Sequence, residues 1–311
     1  MDRGIGTTHA VTLSGVPETL MWNLYQRAWE ARRPRPVLHD PKAVELVDTI
    51  DFPFERRFGR PNGLIAQGHA LRVRMFDAVV RDFLAAHPYG TVVQLAEGLE
   101  TQFWRCDNGH AQWLGVELPE TAELRRSLLP DSERRRTLAC SALDLSWRDE
   151  IDPSRGVLIT AQGLLMYLQP RQVRDLLAGC AEAFPGGALV FDTVPRWFSA
   201  YTFTGAVRTA RGYPAPPMPW AINRSELPRL VTAHPAITSV RQLLPSVGRG
   251  LYHGAVAPLL SRIGIRNALV LVTAVAQFGQ LSRMEPSAMK SSGAEPPARH
   301  LRVGILPAEA G

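Results

Sequence analysis

The chain has 311 residues, 45% of them hydrophobic and 21% charged, which excludes a disordered or collagen-like chain and suits one large α/β domain or two small ones. Its formal net charge is +6, yet every basic residue except Lys42 and Lys290 is an arginine, and the arginines are scattered apart from one run at 134–136. No aromatic-interleaved basic stripe accompanies them, so the charge leaves only a weak nucleic-acid footprint.

Residues 14–87 read as mostly helical, with Leu20, Leu24 and Ala28 at helical spacing. A second helix is expected over 41–49, with Asp40 as N-cap and Pro41 in the first turn, and a third over 68–86. Together they make a helical unit, 1–88, that caps or lids the remainder of the chain. From residue 89 apolar runs alternate with helical stretches. Strands are expected near 91–96, 111–117, 135–140, 156–161 and 187–192, and helices near 100–106, 119–129 and 170–184. This alternation predicts an α/β fold with a mostly parallel, doubly wound sheet. A proline-rich insert, 195–233, comes after the fifth strand, and its aromatic residues argue for a packed, substrate-facing segment. Runs at 236–243 and 268–278 close the sheet and the core ends near 280. The tail, 281–311, is rich in Ser, Pro, Ala and Gly and is expected to be disordered.

Cys106, Cys140 and Cys180 are odd in number and widely spaced, and no Cys/His cluster has zinc spacing, so reduced thiols and metal independence are expected. The N-terminus lacks the apolar stretch of a signal peptide, and the run at 268–278 is too short to span a bilayer. A cytoplasmic protein without membrane or nucleic-acid partners is the expectation. Nothing in the sequence signals an oligomeric state.

The densest chemical signal lies in 91–117, TVVQLAEGLETQFWRCDNGHAQWLGVE. An apolar strand meets Gly98, a helix-like stretch comes next, and a second strand ends on Glu117, nineteen residues after the glycine. This is the first half of a nucleotide-binding α/β unit. The glycine lets backbone approach a ligand, and the acid can accept both hydroxyls of a ribose. A dinucleotide fingerprint needs Gly-x-Gly-x-x-Gly, whereas this chain has Ala96, Gly98 and Thr101 at those positions. The incomplete pyrophosphate cradle points away from NAD and towards a cofactor without phosphates, S-adenosyl-L-methionine. After the third strand, Asp144 is suited to an adenine amino group, with Leu145 or Trp147 flanking the ring. After the fourth, Gln162 and Tyr167 stand at the carboxyl edge where open α/β sheets bind ligands. Glu117 and Asp144 have ordinary alternatives, as the acid before the helix at Pro119 and as a loop cap, and Arg72, beside Arg74 on the third expected helix, reads by itself as a surface arginine.

Taken in order, TVVQLAEGLETQFWR, WLGVELPE, LRRSLLP, CSALDLSW, ITAQGLLMYL and FPGGALVFD resemble the leucine carboxyl methyltransferase family. LSGVPETLMWNLYQRAWEARRP and HALRVRMFD narrow the resemblance to its bacterial branch of tetracenomycin-type polyketide O-methyltransferases. The resemblance runs over 13–278 and implies a Rossmann-like class I methyltransferase fold that uses S-adenosyl-L-methionine. By position it implies that Arg72 pairs with the cofactor carboxylate, Gly98 lies beneath the aminoacyl group and Glu117 holds the ribose. It also implies that Asp144 and Leu145 contact the adenine and that Gln162 stands near the cofactor amino group. The chain departs from the family at Ala96, where glycine is usual, at Gln162, where Glu is common, and at Glu117, usually Asp.

Methyl transfer from a sulfonium is an in-line displacement, so alignment and exclusion of water carry most of the effect. A carboxylate acceptor needs no general base, whereas a hydroxyl benefits from one. Tyr167 is a poor base at neutral pH, which favours a carboxylate or an acidic hydroxyl. The expected function is O-methylation of a small, aromatic or polyketide-like acceptor, with Tyr167 at the reaction edge. Trp197, Tyr201, Tyr213 and His253 are candidate acceptor contacts, Arg196 or Arg208 candidate anchors, and His69 a structural histidine. Two alternatives stand beside this: a weak or inactive S-adenosylmethionine-binding partner protein, because of Ala96 and Gln162, and an NAD-dependent oxidoreductase.

Overall fold

Parallel strands β1 (Thr91–Leu95), β2 (Gln112–Glu117), β3 (Arg135–Ala139), β4 (Val157–Ala161) and β5 (Ala188–Thr193) form the centre of one sheet. β6 (Ile237–Leu243) and β7 (Val272–Phe278) complete it, in the order β3-β2-β1-β4-β5-β7-β6. β7 runs antiparallel to both neighbours. The computed structural model describes residues 9–10, 18–208, 212, 214–244, 247–262 and 271–279, so Tyr213 and the tail 281–311 lie outside the described residues. The architecture is the expected Rossmann-like, doubly wound class I methyltransferase fold. Its strand order reverses between β1 and β4, and open α/β sheets bind ligands outside the carboxyl ends at such a point.

Every residue of β1 and β4 is buried, because helices cover both faces of the sheet. The pleat sends Val92 to one face and Val93 to the other. On the first face α4 (Gly63–Ala86) sets Phe76, Val80, Phe83 and Leu84 against Val92, Trp113, Leu158 and Val190. On the second, Val173 and Leu177 of α7 (Pro170–Ala183) pack with Val93, Leu95, Ile159 and Phe191. Among the N-terminal helices, α4 therefore packs directly on the sheet. The second half of α4 is a sheet-facing helix, whereas α1 (Glu18–Ala31), α2 (Pro41–Thr49) and α3 (Phe54–Phe58) build their own cluster. In it Met21, Leu24, Tyr25 and Ala28 meet Leu46, Phe54 and Phe58, and also Leu99 and Leu129 from the core.

Local signals explain the boundaries. Asp40 caps α2 by accepting from the Ala43 N–H at 3.1 Å, as the sequence suggests. α4 begins earlier than expected because the Asn62 side chain accepts from Leu64 N at 2.8 Å. α3 is too short to show a period and carries no mark in the sequence. The helical segment over 250–262, a π-helical turn (Tyr252–Val256) leading into α9 (Ala257–Arg262), is equally unmarked. Residues 268–270 of the last expected strand lie outside the described residues. Among the described residues no helix is long and apolar enough to cross a membrane.

The turn after β1 is unusual in its backbone. Ala96 has φ 51° and Gly98 has φ 55°, both left-handed. An L side chain there costs ~1–2 kcal/mol, because Cβ crowds the following carbonyl. Ala96→Gly is expected to stabilise the protein by ~0.5–1 kcal/mol, the greater freedom of glycine in the unfolded chain offsetting part of the gain. A thermal melt should show a rise of about 1–3 °C. A fall in melting temperature would contradict this account of the turn.

Candidate functional site

The turn after β1 is held from two sides. Arg125, fully buried on α6 (Pro119–Leu128), donates to the carbonyls of Gly98 at 2.7 Å and Glu100 at 3.2 Å. From the end of β2, the Glu117 carboxylate accepts the Gly98 N–H. Burial pushes the Glu117 pKa up to about 7, against the opposing pull of that N–H and of Arg125. Glu97 pairs with Arg125 at 2.6 Å and lies against the bare Cα of Gly115. Burial takes its pKa up to about 8, and among the described residues its Oε2 has no hydrogen-bond partner. Leu20 of α1 closes over the turn: a Cβ added to Gly98 would stand 3.0 Å from the Leu20 Cβ.

A second group gathers at the ends of β4 and β5. Arg72 on α4 pairs with Asp192 at 2.7 Å, and Asp192 accepts the Gly163 N–H at 2.6 Å. Burial raises the Asp192 pKa despite Arg72. Gln162 donates to Glu100 at 3.0 Å. Glu100 belongs to a buried network that ties the N-terminal helices to the turn. Arg27 lies 3.1 Å from Glu100 and 3.3 Å from Asp40, while Arg105 of α5 (Gln102–Cys106) reaches Asp40, Asp77 and Glu100 at 2.7 to 2.9 Å. Burial works against the Glu100 charge, but Arg27 and Arg105 hold its pKa down to about 2.

Gly98 and Glu117 thus meet directly. Arg72 and Gln162 lie at the neighbouring strand ends. Asp144 is exposed and accepts the Ser146 N–H at 3.2 Å, capping a short helical turn after β3, with Leu145 half-buried beside it. The expected contacts missed Asp192 and Glu100. The signal for each was an acid at or just past a strand end, where the sheet's ligand crevice lies.

An apolar cavity of about 660 Å³ adjoins this group and shares Arg72 and Gly163 with it. Its walls include Trp22, Leu64, Met166, Tyr167, Phe198 and Met218. On α8 (Arg196–Thr202) it is Phe198 that lines the cavity; the expected acceptor contacts Trp197 and Tyr201 are not among its lining residues and are 48% and 54% exposed. Arg196 is likewise outside it, paired with Glu226 at 2.9 Å. His253 lines the cavity, and its Nε2 lies 2.9 Å from the Leu64 carbonyl. Trp220, part of the aromatic insert, is buried against Phe191 and belongs to the core.

The residues at the strand ends fit S-adenosyl-L-methionine in their chemistry. Glu117 is a buried acid whose ionised form lacks full compensation, and a diol would supply two further hydrogen-bond donors. Arg72 offers a guanidinium to a carboxylate, while Gln162 keeps an acceptor oxygen for an ammonium.

Comparison with known proteins agrees with this chemistry. The family model described as leucine carboxyl methyltransferase matches residues 21–181. The tetracenomycin polyketide synthesis O-methyltransferase TcmP of Streptomyces glaucescens is 35% identical over 189 residues, covering 60% of this chain and 69% of that protein. The S-adenosyl-L-methionine-dependent methyltransferase dpfgK of Gibberella zeae is 29% identical over 188 residues, 56% of this chain and 63% of the relative, so the chain spans less than two thirds of it. Among solved structures, an O-methyltransferase family protein from Burkholderia thailandensis matches 85% of this chain and 70% of its own, with 18% identity and a TM-score of 0.41.

Proposed function

Because the chain belongs to the leucine carboxyl methyltransferase family, we propose that it transfers a methyl group from S-adenosyl-L-methionine to an oxygen of a small, apolar, aromatic or polyketide-like acceptor. The accepting oxygen belongs to a carboxylate or an acidic hydroxyl. The observation that carries the reading is the meeting of an apolar cavity of about 660 Å³ with Arg72 and Gly163 at the strand ends. A cavity of this size and lining suits a flat organic molecule. The TcmP relative is named for polyketide synthesis, which supports the same acceptor class.

The cofactor, when bound, supplies an electrophilic methyl group on a sulfonium sulfur. The chain's residues bind and align. Arg72 takes the cofactor carboxylate, Glu117 the ribose hydroxyls, Gln162 the ammonium, and Asp144 with Leu145 the adenine. Gly98, without a side chain, takes the aminoacyl group once Leu20 moves off it. Trp22, Met166, Phe198 and Met218 keep water from the acceptor, so that orientation supplies most of the rate. Tyr167, on the cavity wall, orients the acceptor.

The reading is tested by incubating the protein with S-adenosyl-L-methionine and a panel of aromatic acids and phenols, with mass spectrometry as the readout. A methylated product is expected. Alkaline hydrolysis then separates a methyl ester, which cleaves, from an aryl methyl ether, which does not. Binding of S-adenosylhomocysteine without product from any acceptor would favour an inactive cofactor-binding protein. Binding of NADH in its place would favour an oxidoreductase.

A further inference from the structure

The cavity holds a side chain that cofactor binding does not use. His69 lines it from the same face of α4 as Ile65, Arg72 and Met75. Its ring meets Trp22 edge-on, with centroids 4.7 Å apart. Among the described residues no group hydrogen-bonds its ring nitrogens. A histidine serving the fold alone normally commits its nitrogens to protein partners. His253, also on the cavity wall, does so through the Leu64 carbonyl. Residues three apart on a helix have Cβ atoms ~5–6 Å from each other. His69 therefore stands beside Arg72, the residue assigned to the cofactor's aminoacyl end.

We propose that His69 contacts the acceptor, an imidazole nitrogen hydrogen-bonding the oxygen that receives the methyl group. The inference rests on the methyltransferase reading and adds the residue that selects and orients the acceptor. Burial, Arg72 and Arg27 push the His69 pKa down to about 3, so the ring is neutral at physiological pH. The other charged or titratable groups on the cavity wall are Arg60, Arg72, Tyr167, Arg208, Tyr252 and His253, with Asp192 paired to Arg72. A neutral imidazole has one N–H and one bare nitrogen. It can donate to a carboxylate oxygen or accept from a hydroxyl. With a hydroxyl, the oxygen–carbon bond forms as the carbon–sulfur bond breaks, and that bond's electron pair goes to sulfur. The hydroxyl proton becomes strongly acidic as the new bond forms, so even a weakly basic imidazole takes it and later releases it to solvent.

Two flat probes that differ only in the oxygen group, 2-naphthol and 2-naphthoate, test the contact by calorimetry on the full chain, with S-adenosylhomocysteine titrated alongside. Wild type is expected to bind at least one probe. His69→Phe keeps a ring against Trp22 but removes both nitrogens. It should weaken that probe about tenfold, the loss of one hydrogen bond, with little change in S-adenosylhomocysteine affinity or melting temperature. His69→Gln, which keeps a donor and an acceptor, should recover most of the loss. Unchanged probe affinity in His69→Phe overturns the proposal, as does failure of both probes to bind a wild type that binds S-adenosylhomocysteine. A wild type that does not bind S-adenosylhomocysteine removes the methyltransferase reading, and the proposal falls with it.

Discussion

Arg72→Ala should weaken S-adenosylhomocysteine binding at least ~100-fold, because a charge-assisted pair with the cofactor carboxylate is lost from a buried site. Calorimetric titration reads the effect directly. The same change leaves Asp192 buried without its partner, 2.7 Å away in the wild type. Removing one member of a buried pair costs ~3–5 kcal/mol, so the melting temperature should also fall. The two effects can be separated. Burial raises the Asp192 pKa, so an amide in its place removes a charge that burial opposes once Arg72 is gone. The double variant Arg72→Ala/Asp192→Asn should therefore regain most of the lost stability while still failing to bind the cofactor product. Wild-type affinity in Arg72→Ala would show that the guanidinium serves only Asp192.

Glu117→Gln should move two properties in opposite directions. The Glu117 carboxyl titrates at about 7 in the folded chain against an ordinary 4.5, because it is buried. Ribose hydroxyls favour the ionised carboxylate, so cofactor binding drives the proton off. Wild-type affinity for S-adenosylhomocysteine should then rise roughly tenfold between pH 6 and pH 8, whereas Glu117→Gln should bind more weakly and with little pH dependence. Stability of the free protein runs the other way. A folded pKa above the unfolded one means that the native chain holds a proton the unfolded chain has released. The stability contributed by the protonated group is complete below about 4.5 and is lost as pH rises through about 7. Glu117→Gln escapes that loss, and near pH 8 it should exceed wild type by on the order of 3 kcal/mol in chemical denaturation. A variant that is both less stable and unaltered in affinity at pH 8 would assign Glu117 to the fold alone, through its bond to Gly98.

The parts of this molecule that announce themselves in sequence are those with a short period or a fixed offset. Strands such as 157–161 are almost wholly apolar, with Thr160 the exception, because helices cover both their faces. Gly98 and Glu117 are readable because a βα turn and the next strand end recur at a set distance. Interactions between elements far apart in the chain carry no such mark. Arg27, Asp40, Asp77, Glu100 and Arg105 come from three helices, the N-cap of a fourth and one turn, and only the fold shows that they form one network. Facing direction is equally hidden in short elements. α8 is seven residues long, too few for a period to tell that Phe198 and not Trp197 turns to the cavity. His69 reads in sequence as a structural histidine, and only the fold shows that its nitrogens have no hydrogen-bond partner among the described residues.

The proposed activity stands on adenosine lying across the ends of β1 and β2. A crystal structure with S-adenosylhomocysteine tests it most directly. It should place both ribose hydroxyls within hydrogen-bond distance of Glu117 and the amino-acid carboxylate on Arg72, with Leu20 displaced where it now covers Gly98. A structure grown at saturating ligand in which Leu20 and Glu117 still close on Gly98, with no nucleoside between the strand ends, would contradict it.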